Sequence, residues 1–179
     1  DWSSDVCSSD LGISHYRRHF TLDKNPKKDI SRVINNYQLK KIFKEVDIIV
    51  SPKRYYPFFT IESHYTHTKG GYLKIHKRDL EVLREVIKDL HPDYCNNLET
   101  VLNRNYYHSG SLFIMKRELY DKYCEFIFSI GSEVEKRLKD ERPDLTRYIA
   151  SLTELLLDVW LLNNNYSYKE VNLIEFEKD

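Results

Sequence analysis

The densest chemistry in the sequence lies in Gly12-Ile13-Ser14-His15-Tyr16-Arg17-Arg18-His19-Phe20. Two arginines, two histidines and a tyrosine occupy five consecutive positions. A guanidinium is a fixed, bidentate, permanently charged donor, and an imidazole beside it adds a further donor, so the combination suits a phosphate. The apolar start predicts a short strand. In an extended segment side chains alternate, which would put His15, Arg17 and His19 on one face and Tyr16 and Arg18 on the other. The same cluster also fits a solvated charged turn after a strand.

Three further groups carry candidate chemistry. Glu154 stands among Leu152, Leu155, Leu156 and Leu157, and a carboxylate in so apolar a neighbourhood needs a partner or a task. Arg147 precedes it by about two helical turns, hence on roughly the same face, so a structural ion pair competes with a functional role. Asp79 follows His76 at the start of a strongly periodic segment, where a carboxylate suits the helix dipole or simply caps the helix. His108-Ser109-Gly110 forms a polar turn ahead of an apolar run, and Gly110 would let a ligand approach the backbone.

The elements that must position these groups read as an α/β alternation. Thr21 to Ser31 is a polar surface loop. Gln38 to Glu45 reads as a short helix, with Leu39, Ile42 and Phe43 on one face. It feeds a buried strand, Val46 to Val50, closed by Ser51-Pro52; a helix running into an apolar strand marks an α/β sheet. Lys53 to Gly71, rich in Tyr, Phe and His and including His64 and His67, shows no period. It reads either as a functional loop over a site or as a loop packed down by its aromatics.

His76 to Leu90 is a clear amphipathic helix. Pro92 opens the next, and Leu112 to Met115 is an apolar strand. Lys116 to about Lys139 forms one or two helices, Leu145 to Leu162 the last long one, and Val171 to Ile174 a short final strand. The class is therefore α/β, with a mixed sheet flanked by helices.

Composition narrows the function. The 179 residues carry 28 basic and 28 acidic side chains, without the basic excess of a protein built to grip nucleic acid. No apolar run reaches the length of a membrane span. Cys7, Cys95 and Cys124 are odd in number and widely spaced, which suggests reduced cytosolic thiols and neither a disulfide frame nor a zinc site. Residues 1–11 show no periodic apolar face, are dominated by Ser and Asp, and resemble translated sequencing-adapter sequence. They read as a non-native or disordered leader, with residues 12–179 as one domain.

His15-Tyr16-Arg17-Arg18, with an aromatic two positions later, resembles the HYRRYF signature of a bacterial glycosyltransferase family. That family was formerly described as a domain of unknown function and is associated with capsular polysaccharide synthesis. The downstream order is also similar: Pro92-Asp93-Tyr94, Leu112-Phe113-Ile114-Met115-Lys116 running into Leu119-Tyr120-Asp121-Lys122-Tyr123-Cys124, and Arg147 followed by Glu154-Leu155-Leu156. His76, Asp79 and Leu80 match a His-x-x-Asp-Leu pattern of the family. The family's Asn-Met before Phe-Ile is Ser111-Leu112 here, and its Gly-Phe between the late arginine and glutamate is Ala150-Ser151.

The resemblance implies the C-terminal part of a GT-A-like glycosyltransferase domain, with upstream strands and their nucleotide-base contacts missing and the fragment itself inactive. It implies a nucleotide-sugar donor and a glycan or lipid-linked oligosaccharide acceptor. It places the protein in the cytoplasm, with peripheral association at the inner membrane face left open. His15, Tyr16, Arg17 and Arg18 would bind the donor diphosphate and Glu154 would be catalytic. His67, His76, Asp79, His108, Ser109, Gly110 and Arg147 would line the acceptor or sugar. No Asp-x-Asp metal motif occurs, so no cofactor is assigned, although a divalent metal in the intact enzyme stays open. A non-catalytic carbohydrate-binding or glycan-assembly module is the alternative. A phosphoryl-handling enzyme fits the Arg/His cluster but lacks a P-loop.

Overall fold

The computed structural model describes residues 10–13, 17–67, 75–108, 110–142 and 148–176. It has a mixed α/β fold that divides into two compact units. The first comprises residues 1–53, 108–122 and 166–179, the second residues 54–107 and 123–165.

The first unit is built on a four-stranded mixed sheet. Its strands are β1 (Asp10–Ile13), β3 (Ile48–Val50), β6 (Phe113–Lys116) and β7 (Tyr168–Glu170), in the order β1-β6-β3-β7. β6 runs antiparallel to both β1 and β3, while β7 is parallel to β3. Ile48, Ile49 and Val50 are wholly buried, as expected of an unbroken apolar strand with neighbours on both sides. The helix before it, α1 (Asn36–Ile42), starts earlier than its apolar face suggests because Asn35 and Gln38 cap each other reciprocally. The Asn35 side chain accepts from the Gln38 N–H at 3.0 Å, and the Gln38 side chain accepts from the Asn35 N–H at 3.0 Å. Ile42 then packs with Phe20, Ile49, Leu112 and Val171 in one apolar cluster.

One expectation is corrected here. The opening motif is not one extended strand. β1 ends at Ile13 and pairs with β6, whereas β2 (Arg18–Thr21) pairs with β8 (Asn172–Glu175) in a separate two-stranded sheet. Arg17 sits in the turn before β2, so simple alternation does not govern the faces of the motif. In addition, Asp10 and Leu11 pair with Lys116 and Met115, so strand pairing reaches two residues into the stretch read as leader. A ladder joins backbone groups and tolerates almost any side chain.

The second unit is mainly helical. It holds α2 (Ile61–His67), α3 (Lys77–Leu90), α4 (Cys95–Asn103), α5 (Arg117–Leu138) from Tyr123 onward, and α6 (Tyr148–Asn164), with the short antiparallel pair β4 (Arg54–Tyr55) and β5 (Tyr106–Tyr107). α6 is apolar nearly all round: Leu152, Leu155, Leu156, Leu157, Val159, Trp160 and Leu161 are all buried, the signature of a central helix. Gly131 lies opposite Ile149 and Thr153 of α6, each at 3.7 Å from the position its Cβ would take, so α5 and α6 approach closely. Arg84 on α3 clamps Glu99 on α4 at 2.6 and 3.1 Å and Glu62 on α2 at 3.0 Å.

The segment from Lys53 to Gly71, which reads as aperiodic, contains β4 and α2. Thr60 caps α2 by accepting from the Ser63 N–H at 3.1 Å, and Ile61 and Tyr65, one turn apart, are its buried pair.

Asp47 joins three parts of the first unit. Its carboxylate accepts from Lys116 Nζ at 2.6 Å and from Ser167 Oγ at 2.6 Å, and its N–H donates to Ser167. These bonds hold its carboxyl below the usual range. A depressed carboxyl contributes stability above its unfolded pKa and loses it as pH falls. Asp47→Asn is therefore expected to lower stability at neutral pH and to flatten the loss between about pH 5 and pH 3. Urea denaturation across that range is the measurement; parallel curves for the two proteins would contradict the assignment.

Candidate functional site

In the first unit the chemistry gathers where β2, β8 and the turn before β6 supply side chains. Arg17 is half-buried, its Nε shielded from solvent, and its carbonyl accepts from the Phe176 N–H at 2.8 Å. Arg18 opens β2 opposite Glu175 and gives its Nε to that carboxylate at 3.2 Å. The other end of Arg18 reaches the glycine turn: its Nη1 lies 3.7 Å from where a Gly110 Cβ would stand. Gly110 has φ 88° and Ser111 φ 49°. Two successive residues in the left-handed region are unusual, and for serine the conformation is strained, a feature that concentrates at ligand sites.

Behind this turn His108 is buried, with its Nε2 3.7 Å from Glu170 Oε1 and its ring edge-on to Tyr168 at 5.5 Å. Glu170 also accepts from Lys53 Nζ at 2.7 Å and from the Lys53 N–H at 3.2 Å. Burial pushes the Glu170 carboxyl up, but Lys53 and His108 together outweigh it and leave it below the usual range. Arg18 thus stands beside a strained turn, with the buried imidazole of His108 just ahead of it in the chain. A guanidinium beside such a turn can serve an anion.

In the second unit Glu154 stands half-buried on α6. Its charge reaches the hydroxyls of Tyr65 and Tyr107 and helps to raise both phenols, after burial as the main cause. Tyr65 Oη lies 3.2 Å from the Ser151 carbonyl and 3.4 Å from Tyr107 Oη. The Tyr56 ring stacks on Tyr107 at 6.0 Å and packs on His64 at 4.0 Å. A carboxylate, three phenols and an imidazole thus share one patch. Desolvation and the Arg54 charge lower the His64 pKa, favouring the neutral ring. Reading the sequence missed Tyr56, His64, Tyr65 and Tyr107 as a group. The signal available was the tyrosine density on either side of the β4–β5 pairing.

The remaining candidates are scattered. His15, Tyr16, Ser109 and Arg147 lie outside the described residues, as does the side chain of His67. An Arg147–Glu154 ion pair, the alternative to a functional Glu154, therefore lies outside them too. His76 is an exposed N-cap whose backbone N–H donates to Asp79 Oδ2 at 2.8 Å. Asp79 is wholly buried and pairs with the buried Arg142, whose guanidinium also lies over the Tyr148 ring at 5.2 Å. That is the capping and pairing expected of a structural carboxylate. Among the described residues no group of three or more His, Cys, Asp or Glu is arranged to hold a metal ion.

A family model described as "Domain of unknown function (DUF4422)" matches residues 2–165. The chain belongs to this family. The match includes both clusters except for Tyr168, Glu170, Glu175 and Phe176, which lie beyond its end. Among solved structures, this DUF4422 chain is similar to one titled as the WbbM bifunctional glycosyltransferase in its apo form, with a TM-score of 0.74 and 18% identity. The likeness covers 94% of this chain and 34% of that one, so the DUF4422 chain spans about a third of the length of the structure it resembles. At that identity the likeness establishes the fold. No curated protein matches the chain.

The tyrosine patch makes a pH prediction. Burial holds Tyr65 well above the usual phenol value, with Tyr107 and Glu154 adding to the shift. A raised folded pKa contributes stability that is complete below about pH 10, the unfolded value, and is lost as pH rises beyond it. Tyr65→Phe should cost about 1 kcal/mol at pH 7 through the lost hydroxyl bond and should make the alkaline decline shallower. Denaturant unfolding from pH 8 to 11 checks this; an unchanged alkaline slope would contradict it.

Proposed function

We propose that this domain serves a glycosyltransferase that moves a sugar from a nucleotide-sugar to a glycan or lipid-linked oligosaccharide, as in capsular polysaccharide synthesis at the cytoplasmic side of a bacterial membrane. The observation that carries the proposal is the Arg18 guanidinium against the strained Gly110–Ser111 turn, on a fold similar to that of a protein titled as a glycosyltransferase. Breaking the bond between a sugar and a nucleoside diphosphate builds negative charge on the leaving group. Fixed cationic donors lower the barrier by stabilising that charge without reorganising.

In this reading Arg17 takes the larger share of the diphosphate, and Arg18 gives its Nε to Glu175. Arg18 holds the edge of the turn, and His15 and Tyr16 complete the donor side. Glu154 is the base that takes the proton of the acceptor hydroxyl, a role that requires hydrogen-bond reach to that proton directly or through one water. His67, His76, His108, Ser109, Gly110 and Arg147 support sugar or acceptor binding, and Asp79 does so only indirectly, by fixing the start of α3.

The test is calorimetric binding of uridine and guanosine diphosphates to the wild type and to Arg17→Ala and Arg18→Ala. Removing a charged donor to phosphate is expected to weaken binding about tenfold or more for Arg17→Ala, with a smaller loss for Arg18→Ala. Unchanged affinity in both variants would refute the diphosphate site. Binding of glycans without any binding of nucleoside diphosphate would favour a carbohydrate-binding module.

A further inference from the structure

We infer that the stretch from Leu22 to Lys44 docks the domain on an anionic lipid surface, with Ile30 and Tyr37 entering the headgroup layer among lysines. The proposed function names a membrane only as a place, and this docking surface stands without it. The first observation is a segregation of charge. From Leu22 to Glu45 the sequence carries seven basic and three acidic side chains, which leaves 21 basic and 25 acidic in the rest of a chain that is balanced as a whole. The three acids are engaged locally. Asp23 lies 3.4 Å from Arg32, Asp29 accepts from the Ser31 N–H at 2.9 Å, and Glu45 lies 3.8 Å from Lys169. Lys24, Lys27, Lys28, Lys40, Lys41 and Lys44 are all exposed.

The second observation is the construction of α1. Its inner face is buried: Ile42 belongs to the apolar cluster around Phe20 and Ile49, and Leu39 and Phe43 pack against that cluster. Tyr37, Lys40 and Lys41 stand at i, i+3 and i+4 on the opposite face, and Lys44 follows one turn later. Lysines in the last turn complement the helix dipole. That accounts for Lys40 and Lys41 but not for Tyr37, which is 79% exposed. Ile30 is 70% exposed at the start of a single 3-10 turn, Ile30–Arg32. It does not hang on loose chain. The Arg32 N–H donates to the Asp29 carbonyl at 3.0 Å, the Val33 N–H to the Ile30 carbonyl at 3.1 Å, and the Ile34 N–H to the Phe20 carbonyl of β2 at 2.8 Å. The fold thus holds a large aliphatic and an aromatic side chain out in solvent within one run of cations.

The partner follows from that mixture. Cations alone suit any polyanion, and a charge run facing water is the ordinary alternative. An aliphatic side chain gains nothing from either, whereas the boundary between headgroups and acyl chains takes it up. Tyrosine suits the same boundary, with its ring in the apolar part and its hydroxyl among the headgroups. The lysines complete the match, because anionic headgroups attract basic side chains held within a Debye length, about 8 Å at physiological salt. Nucleic acid, the rival polyanion, would use the lysines and could stack on Tyr37, but it offers Ile30 no apolar layer.

The experiment is co-flotation of the 179-residue chain with vesicles of phosphatidylethanolamine and phosphatidylglycerol in equal parts, against vesicles of phosphatidylcholine alone. Binding to the anionic vesicles is expected at about 0.15 M salt, falling steeply toward about 1 M as the charges are screened. No binding is expected to phosphatidylcholine. Lys40→Gln combined with Lys41→Gln should weaken binding about tenfold or more. Ile30→Ser combined with Tyr37→Ser, which keeps every charge, should weaken it several-fold. Affinity for uridine diphosphate should be unchanged in both double variants, so a failure of the diphosphate site and a failure of the docking surface are read separately. All four positions are exposed; circular dichroism checks that each variant is folded, and either pair decides the matter should the other not fold. Absence of co-flotation with the anionic vesicles overturns the inference, as does binding that a folded variant of either pair leaves intact. Tighter binding to double-stranded DNA than to the vesicles, weakened by the same substitutions, overturns it in favour of nucleic acid.

Discussion

The first unit depends on the backbone pairing of β3. Its three residues are wholly buried and bonded on both edges, to β6 antiparallel and to β7 parallel. Val50 is the hinge of this arrangement, lying opposite Phe113 on one side and Glu170 on the other. Beyond it the Ser51 N–H donates to the Leu112 carbonyl at 3.1 Å, and the Val171 N–H donates to the Val50 carbonyl at 3.0 Å. The position of the Gly110–Ser111 turn and that of the Glu170 carboxylate are therefore set by the same three residues. A slip of one residue would turn every side chain of β3 to the other face.

The second unit faces a different constraint, which is the burial of polar groups around an apolar helix. α6 carries Ser151 and Asp158 among its buried positions, and burial without partners would be costly. Arg104 lies 3.8 Å from Asp158, and the Ser151 carbonyl receives the Tyr65 hydroxyl. Asp79 is treated in the same way, with the N–H of His76 and the guanidinium of Arg142 on one oxygen. Breaking such a pair leaves an uncompensated charge in the interior, at about 3–5 kcal/mol. Glu154 differs from these acids: it is only half-buried and sits at the margin of a hydroxyl network.

The parts of the fold that were legible in the sequence are those whose signal is local. The periodicity of Leu80, Leu83, Val86, Ile87 and Leu90 marked α3, and the apolar runs around Ile49 and Ile114 marked β3 and β6. β7 could not be read in this way, since Tyr168, Lys169 and Glu170 are all exposed; backbone pairing with β3 makes it a strand. α2 is only two turns long, and its cap at Thr60 was a weaker signal than the aromatic noise around it. In the site, residue types were legible and partnerships were not. Arg18 and Glu175, or Tyr65 and Ser151, are far apart in sequence, and only folding decides that they meet. Asp79 shows the limit from the other side, because a helix-start carboxylate has the same spacing whether it caps, pairs or binds.

In this member of the DUF4422 family the proposed function gives Arg17 and Arg18 the diphosphate and Glu154 the proton of the acceptor hydroxyl. The most direct measurement is release of nucleoside diphosphate from a panel of uridine and guanosine diphosphate sugars by an intact natural protein carrying this domain, with and without an added glycan acceptor. Diphosphate release that depends on acceptor, matched mole for mole by sugar incorporated into glycan, is the result predicted here. Failure of every donor to be consumed, by a folded protein supplied with acceptor, would contradict it.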